Sequence, residues 1–312
     1  MAKVRNRIPL KLLVVGGHPA DAFDNAGGTC LHHTRLGDTV SALVLTNGAR
    51  VHDVVISDGM RRKKQIPQGK KLEKLLEIRS KVKKEEVREA CAIMGIRDVR
   101  FLTYDDSIFL VREKIIRDIA CVIREIRPNI IITHYPYDNG GLADQHALTG
   151  QSVLHASWVA NSVDSEYPNP PHRVAQIFFM GFPSHVVRDN ALLREFSAHC
   201  QVYVDVSDVI HLKVEALGKM KSQQYNGRYT LKRSEAVEGS AGLGVGVPYA
   251  EPFIVAYSDI YQTLPVSEFL LKKSQEQEKD WFGRVGFLVS KDGNLGRYQR
   301  VLNTKHRRFK KE

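Results

Sequence analysis

The sequence predicts an α/β fold, Rossmann-like, with a mostly parallel sheet and helices on both faces. Three observations carry this. Short runs rich in Val, Ile and Leu recur along the chain, as in Leu12-Leu13-Val14-Val15 and Ile130-Ile131-Ile132. Runs of that kind suit strands buried on both faces. Between them stand longer segments with helical apolar spacing, and the junctions carry Gly, Pro or Asn-Gly. Alternation of the two patterns builds a parallel sheet with right-handed crossovers.

The elements follow in order. A first strand near Leu10–Val15 stops at Gly16-Gly17, and a helix from about Asn25 to Leu36 ends at Gly37. A second strand, Val40–Thr46, is closed by the turn Asn47-Gly48. Residues 50 to 70 are polar and basic and read as a loop. From about Leu72 to Met94 the residues Leu75, Ile78, Val82, Val87, Ala90 and Ile93 keep helical spacing, and Gly95 ends the helix. A third strand at Val99–Leu102, a helix from about Val111 to Ile126, a fourth strand at Ile130–Thr133 and a helix from Gln145 to Val159 come next. Further strands are expected at Val174–Phe179 and Val202–Val206, then a helix from Ser207 to Gln224 with Ser207 or Asp208 as N-cap. Beyond Tyr225 the pattern weakens, and an irregular extension partly covering the site is expected. Gly242-Leu243-Gly244-Val245-Gly246 reads there as a flexible loop, because no strand precedes it as in a dinucleotide site.

Composition narrows the class. The chain has 312 residues, 43 % of them apolar, enough for a sizeable core. No stretch approaches the roughly 20 apolar residues of a membrane helix, and the apolar run after the basic N-terminus is too short for a secretion signal. Cys30, Cys91, Cys121 and Cys200 are scattered without a Cys-x-x-Cys, as in reduced thiols of a cytoplasmic protein. The net charge is +11, gathered at Arg61-Arg62-Lys63-Lys64 with Lys70-Lys71 and at Lys305-His306-Arg307-Arg308-Phe309-Lys310-Lys311. No nucleic-acid module accompanies these runs, so neither nucleic acid nor membrane is expected as a partner. The charge fits solubility, a mobile tail, or a field that draws in an anionic small substrate. The sequence leaves room for a homo-oligomer.

Chemistry gathers at two strand ends. His18 and Asp21 stand just past the first strand, where open α/β sheets keep ligand sites. Imidazole and carboxylate at that spacing can hold a divalent cation, zinc foremost. A helix N-cap beside an unrelated surface histidine is the competing reading. Past the fourth strand come His134 and a turn-rich loop, then Asp144-Gln145-His146 opening a helix. Convergence of the two loops would give His18, Asp21 and His146 as three protein ligands. A fourth position would stay open for water, the catalytic arrangement. Taken alone, His146 reads as an ordinary surface helix histidine.

These motifs, in this order, resemble the PIG-L/LmbE superfamily of zinc-dependent N-deacetylases. His18-Pro19-Ala20-Asp21 with Gly27-Gly28-Thr29 looks like its His-Pro-Asp-Asp and Gly-Gly-Thr, and Leu45-Thr46-Asn47-Gly48 like its Leu-Thr-Asp-Gly. Glu86, Ala90 and Met94-Gly95 match its long helix end, and Ala143-Asp144-Gln145-His146 stands where it has His-Pro-Asp-His. Lys221-Ser222-Gln223 matches a usual helix end, and Ala250-Glu251-Pro252-Phe253 is similar to its late Ala-Glu-x-Phe. The likeness covers residues 10 to 258, hence an expected domain over 1–258 and a basic C-terminal extension over 259–312. It implies one Zn²⁺ per chain, or another divalent ion, on His18, Asp21 and His146.

The departures matter as much. Ala20 replaces the family's usual general base, Ala143 the histidine that protonates the leaving group, Gln145 the following aspartate, and Lys83 a family arginine, with Arg79 one turn away. A general acid or base is worth about 10²–10⁴-fold, so substitutes are needed. Asp24, Asp144 and His134 are the candidate catalytic residues, with Asp138 also in reach. Arg79, Lys83, Asp105 and Glu251 are the candidate substrate contacts. A helix N-cap or turn role competes for each carboxylate. Trp158 and Trp281 read as packing residues. The expected activity is hydrolysis of a small polar, anionic, sugar-like N-acyl substrate. The oxalomesaconate hydratase branch shares the Ala at position 20, which keeps hydration of an unsaturated polycarboxylate open. Non-catalytic metal-dependent ligand binding is the third reading.

Overall fold

The structure, a computed structural model of the chain, describes residues 7–63, 66–107, 109–137, 144–180, 200–225 and 227–289. Seven strands form one sheet: β1 (Lys11–Gly16), β2 (Thr39–Thr46), β3 (Asp98–Tyr104), β4 (Ile130–His134), β5 (Gln176–Met180), β6 (Val202–Asp205) and β7 (Ala250–Val255). Their order is β3-β2-β1-β4-β5-β7-β6. The first five run parallel, with Leu12 beside Val40 on one side and Ile130 on the other. β7 is antiparallel to both β5 and β6.

The helices are α1 (Asp21–Asp24), α2 (Gly27–Arg35), α3 (Val54–Arg62), α4 (Lys70–Ile93), α5 (Glu113–Ile126), α6 (Gln145–Asn161), α7 (Ile210–Leu217), α8 (Gly227–Ser234), α9 (Ser240–Val245), α10 (Glu268–Lys273) and α11 (Glu278–Val285). A π-helical segment, Glu235–Gly239, joins α8 to α9. Among the described residues, no helix is long and apolar enough to cross a membrane.

Strand alternation divides the core between the two faces of the sheet. Leu12 and Val14 of β1 pack with Leu31 of α2, Val87 and Cys91 of α4 and Leu217 of α7. Leu13 and Val15 pack with Ile119 and Ile123 of α5 and Val153 and Ala156 of α6. Both clusters are buried, which explains why β1 reads as an unbroken apolar run and not as an alternation.

Three expectations need correction. The loop over 50 to 70 contains α3, started by Asp53, whose side chain accepts the Ile56 N–H at 2.9 Å. Its apolar signal is faint because Ile56 is the buried residue of that helix. The helix expected from Ser207 begins at Ile210 and ends at Leu217, followed by a 3₁₀ turn over Lys221–Gln223. Ser207 does not cap it; its hydroxyl donates to Asp205 at 2.6 Å and accepts the Tyr249 N–H at 3.0 Å. Nor is the segment beyond Tyr225 irregular. It supplies α8, α9 and β7, and the glycine-rich stretch is the helix α9 with Gly246 as its left-handed cap (φ +89°). A Cβ on Gly242 would lie 2.7 Å from the backbone of residues 247 to 249, so glycine there serves close packing. Pro252 hides β7 from a pattern reading, since proline argues against an inner strand. The fold accommodates it because β5 pairs with β7 only through Val255 and Ile254.

Candidate metal centre

The strand order places β1 between β2 and β4, and the chain leaves β1 and β4 toward opposite faces. A crevice therefore opens past their carboxyl ends, the switch point where open α/β sheets bind ligands. His18 and Asp21 follow β1, His134 closes β4, and His146 lies in the first turn of α6. Two glycines let α6 approach. A Cβ on Gly17 would come within 2.6 Å of Thr149 Oγ1, and one on Gly150 within 2.3 Å of the His134 carbonyl oxygen.

Three donor atoms converge. His18 Nδ1 is 3.3 Å from Asp21 Oδ2 and 3.3 Å from His146 Nε2, and Asp21 Oδ2 is 3.7 Å from His146 Nε2. A tetrahedral zinc with bonds of about 2.0–2.1 Å separates its ligands by about 3.3–3.4 Å. The donor set thus fits a small divalent cation in type and in spacing. Among the described residues it is the group that could hold one. His18 and Asp21 are buried, whereas the His146 side chain is 36 % exposed and marks the open side.

Neighbours hold these donors in place. Asp21 Oδ2 accepts the His18 backbone N–H at 2.6 Å and the His134 Nε2–H at 3.0 Å. Burial pushes the Asp21 carboxyl up, but the imidazoles of His146, His134 and His18 overcome it and hold the group well below the usual carboxylate range. His134 is itself buried and stacks on His146, ring centroids 4.3 Å apart. Burial lowers its pKa against the pull of Asp21. Asp144 is the N-cap of α6: its Oδ1 accepts the His146 N–H at 2.8 Å and stands 3.6 Å from His146 Nδ1. Gln145 bonds through Oε1 to His18 Nε2 and donates from Nε2 to the Asp106 carbonyl at 2.8 Å.

The remaining sequence-predicted residues lie around this centre in other employments. Asp24 pairs with Arg233 at 2.6 Å and receives the Tyr225 hydroxyl at 3.3 Å. Burial raises its pKa in spite of Arg233. Glu251 is fully buried and faces inward, away from solvent. Its oxygens accept the Gly28 and Thr29 N–H groups at 2.9 and 2.8 Å and the Lys213 ammonium at 2.7 Å. Lys213 also binds Glu238 at 2.8 Å, which Arg233 reaches at 3.3 Å. The result is a buried chain of charges, Asp24–Arg233–Glu238–Lys213–Glu251, that ties α1 and α2 to the C-terminal elements.

Arg79 bonds Asp53 at 2.9 Å, and Lys83 donates to the His52 carbonyl and to Ser222 Oγ, both at 2.9 Å. Burial draws the Lys83 ammonium down to about 8. Both cations thus brace the segment that carries His52. Asp105 is exposed and pairs with Arg50 at 2.7 Å. Its buried neighbour Asp106 accepts the Arg50 and Val51 N–H groups at 2.9 and 2.8 Å. Asp138, Ala143 and the basic tail lie outside the described residues.

His52 is the site residue that sequence reasoning missed. Its ring centroid is 4.0 Å from that of His18, and burial together with His18 lowers its pKa to about 4. It sits in a polar stretch without a motif, and its place after the carboxyl end of β2 was the one available signal.

Known proteins resemble this chain in sequence and in fold. The family described as PIG-L, GlcNAc-PI de-N-acetylase, matches residues 13–157. A probable N-acetyl-alpha-D-glucosaminyl L-malate deacetylase 2 of Bacillus cereus is 27 % identical over 214 residues, 68 % of this chain and 83 % of that protein. A 1D-myo-inositol 2-acetamido-2-deoxy-alpha-D-glucopyranoside deacetylase 2 of Catenulispora acidiphila is 26 % identical over 202 residues, 58 % of this chain and 63 % of the relative. Two solved structures share the fold. N,N'-diacetylchitobiose deacetylase from Pyrococcus horikoshii superposes with a TM-score of 0.61 at 16 % identity, covering 78 % of this chain and 83 % of that one. GalB, the 4-carboxy-2-hydroxymuconate hydratase of Pseudomonas putida KT2440, gives 0.61 at 19 % identity, covering 82 % and 100 %. The PIG-L match over residues 13–157 spans His18, Asp21, His134 and His146, so the part of the chain that is similar to that family is the part that carries the candidate centre.

Proposed function

We propose that the chain is a metal-dependent hydrolase of the deacetylase type, holding one Zn²⁺ on His18 Nδ1, Asp21 Oδ2 and His146 Nε2. It removes the acyl group from a small, polar, anionic, sugar-like N-acyl substrate. The convergence of those three donor atoms at zinc-ligand spacing carries the reading. The deacetylase names of its relatives set the reaction class. When bound, the cation supplies a Lewis acid and a water-derived nucleophile at neutral pH.

The protein's own groups do the rest. Asp21 brings the negative charge that offsets part of the cation's, and His134 fixes the oxygen that carries it. The exposed edge of His146 marks where substrate enters. Asp24, Asp144 and His134 are the candidates for the base and acid that the resemblance calls for. Arg233 engages Asp24 and Asp21 engages His134, so both act by positioning. Asp144, 34 % exposed at its side chain, has the approach to substrate. Arg79 and Lys83 hold the His52 segment at the mouth, Asp105 with Arg50 forms its rim, and Glu251 anchors α2 beneath it.

One observation favours a second reading, hydration of an unsaturated polycarboxylate. Ala20, 2 % exposed, puts a methyl group where a deacetylase of this family has its base, and hydration has no amine leaving group to protonate. The test is turnover by the zinc-loaded protein of N-acetylated amino-sugar conjugates, followed by acetate release, against unsaturated polycarboxylates, followed by loss of their absorbance. Acetate release supports the hydrolase. Turnover of the second panel alone replaces it with the hydratase, and silence in both leaves a metal-dependent binding protein.

A further inference from the structure

His18 can serve the centre only if its hydrogen sits on the nitrogen that faces away from it. Its Nδ1 points at Asp21 Oδ2 and His146 Nε2, each 3.3 Å away. A carboxylate at that distance attracts a hydrogen to Nδ1, which would close the site as an internal His–Asp hydrogen bond. On the other side of the ring, Nε2 meets Gln145 Oε1. A carboxamide oxygen only accepts, so this contact requires the hydrogen on Nε2. The orientation of the amide is settled at its other end, where Nε2 of Gln145 donates at 2.8 Å to the Asp106 carbonyl, which also only accepts. Asp106 is fully buried, and its carboxylate is held by the Arg50 and Val51 N–H groups at 2.9 and 2.8 Å. The series Asp106–Gln145–His18 is therefore polarised in one direction.

We propose that Gln145 is a positioning residue that selects the Nε2–H tautomer of His18, presenting the Nδ1 lone pair to the cation without adding charge to the centre. An aspartate, which the family pattern has here, is one methylene shorter and has no N–H to donate to the Asp106 carbonyl. Glutamine satisfies both neighbours. Being neutral, it adds no charge beside a trio whose one anionic ligand is Asp21, so the loaded centre keeps a net positive charge that suits an anionic substrate. The tautomer part stands on hydrogen-bond geometry alone; its consequence for the cation rests on the reading above.

The test uses the full chain with ¹⁵N-labelled histidine, His18 being assigned by the variant His18→Asn. In the metal-free protein at mildly alkaline pH, the imidazole nitrogen shifts should show His18 as Nε2–H. Gln145→Leu should move the hydrogen to Nδ1, and Gln145→Glu, which keeps an acceptor, should leave it on Nε2. Chelator competition should show zinc affinity falling about 10–100-fold in Gln145→Leu and being retained within a few-fold in Gln145→Glu. Thermal melting confirms that each variant is folded. An unchanged tautomer in Gln145→Leu, or unchanged zinc affinity in that variant, overturns the proposal. If the tautomers behave as stated and the wild type takes up no zinc, the metal-centre reading falls while the role of Gln145 on His18 stands.

Discussion

His18 Nδ1 and His146 Nε2 lie 3.3 Å apart although 128 positions separate them in the chain. Two imidazole nitrogens at that distance, with a carboxylate oxygen closing the triangle, share a lone-pair focus that only a cation or a proton can occupy. The focus exists because β1 and β4 are neighbours in the sheet and their following segments diverge to opposite faces.

Removal of either imidazole should abolish zinc uptake. Wild-type protein should carry about one zinc per chain, and zinc at a hundredfold excess over Kd should stabilise it by about 2.7 kcal/mol. His18→Ala and His146→Ala should show neither the bound zinc nor the rise in Tm. Elemental analysis and thermal unfolding with and without chelator decide this, and full zinc retention in both variants refutes the ligand set.

Asp144 separates a cap from a proton carrier. Asparagine caps helices as well as aspartate does, so Asp144→Asn should keep the Tm and lower kcat by about 10²–10⁴-fold. Asp144→Ala should lose about 1 kcal/mol of stability as well. Unchanged kcat in Asp144→Asn would leave this residue with capping alone.

The buried charges joining α1 and α2 to the C-terminal elements form one unit. Lys213→Met strands Glu238 and Glu251 without their shared cation and should cost about 3–5 kcal/mol in urea unfolding. Adding Glu251→Gln to Lys213→Met should recover part of that loss. Strict additivity of the two changes would show that the pair is not coupled.

Asp38 gives a pH dependence with a defined sign. Burial pushes its carboxyl up, but bonds from Arg7, the Leu10 N–H and His33 outweigh it and bring the value to about 2, from an ordinary value near 3.8. A depressed carboxyl pKa adds stability above the unfolded value, lost as pH falls through the folded one. The stability advantage of wild type over Asp38→Asn should therefore be complete above about pH 5 and shrink toward pH 2. A constant difference across that range in denaturant titrations would exclude the linkage.

The candidate site was legible in proportion to how local its signals are. His18 and Asp21 are announced by an apolar run that ends in two glycines, whereas His146, which taken alone reads as a surface helix histidine, was picked out by its place past the fourth strand and by the resemblance. The same locality misled for Glu251 and Asp24. Motif position put them near the centre, but a carboxylate's employment depends on which cation reaches it, and Lys213, Arg233 and Tyr225 come from distant elements. α3 escaped notice because its helix buries a single residue, and β7 because Pro252 masks a strand that the sheet accepts.

What the amino-acid order determined alone is the alternation of strands and helices, the placing of metal-capable residues at two strand ends, and a methyl group, Ala20, between His18 and Asp21. These are properties of short windows: hydrophobic period, turn residues and side-chain type. Only the tertiary structure decided that the two strand ends adjoin, that His52 packs on His18, and that Gln145 meets His18 on one side and Asp106 on the other. Those relations arise from strand order and close helix approach. Their strength depends on burial and on the direction of each donor, which no local pattern encodes.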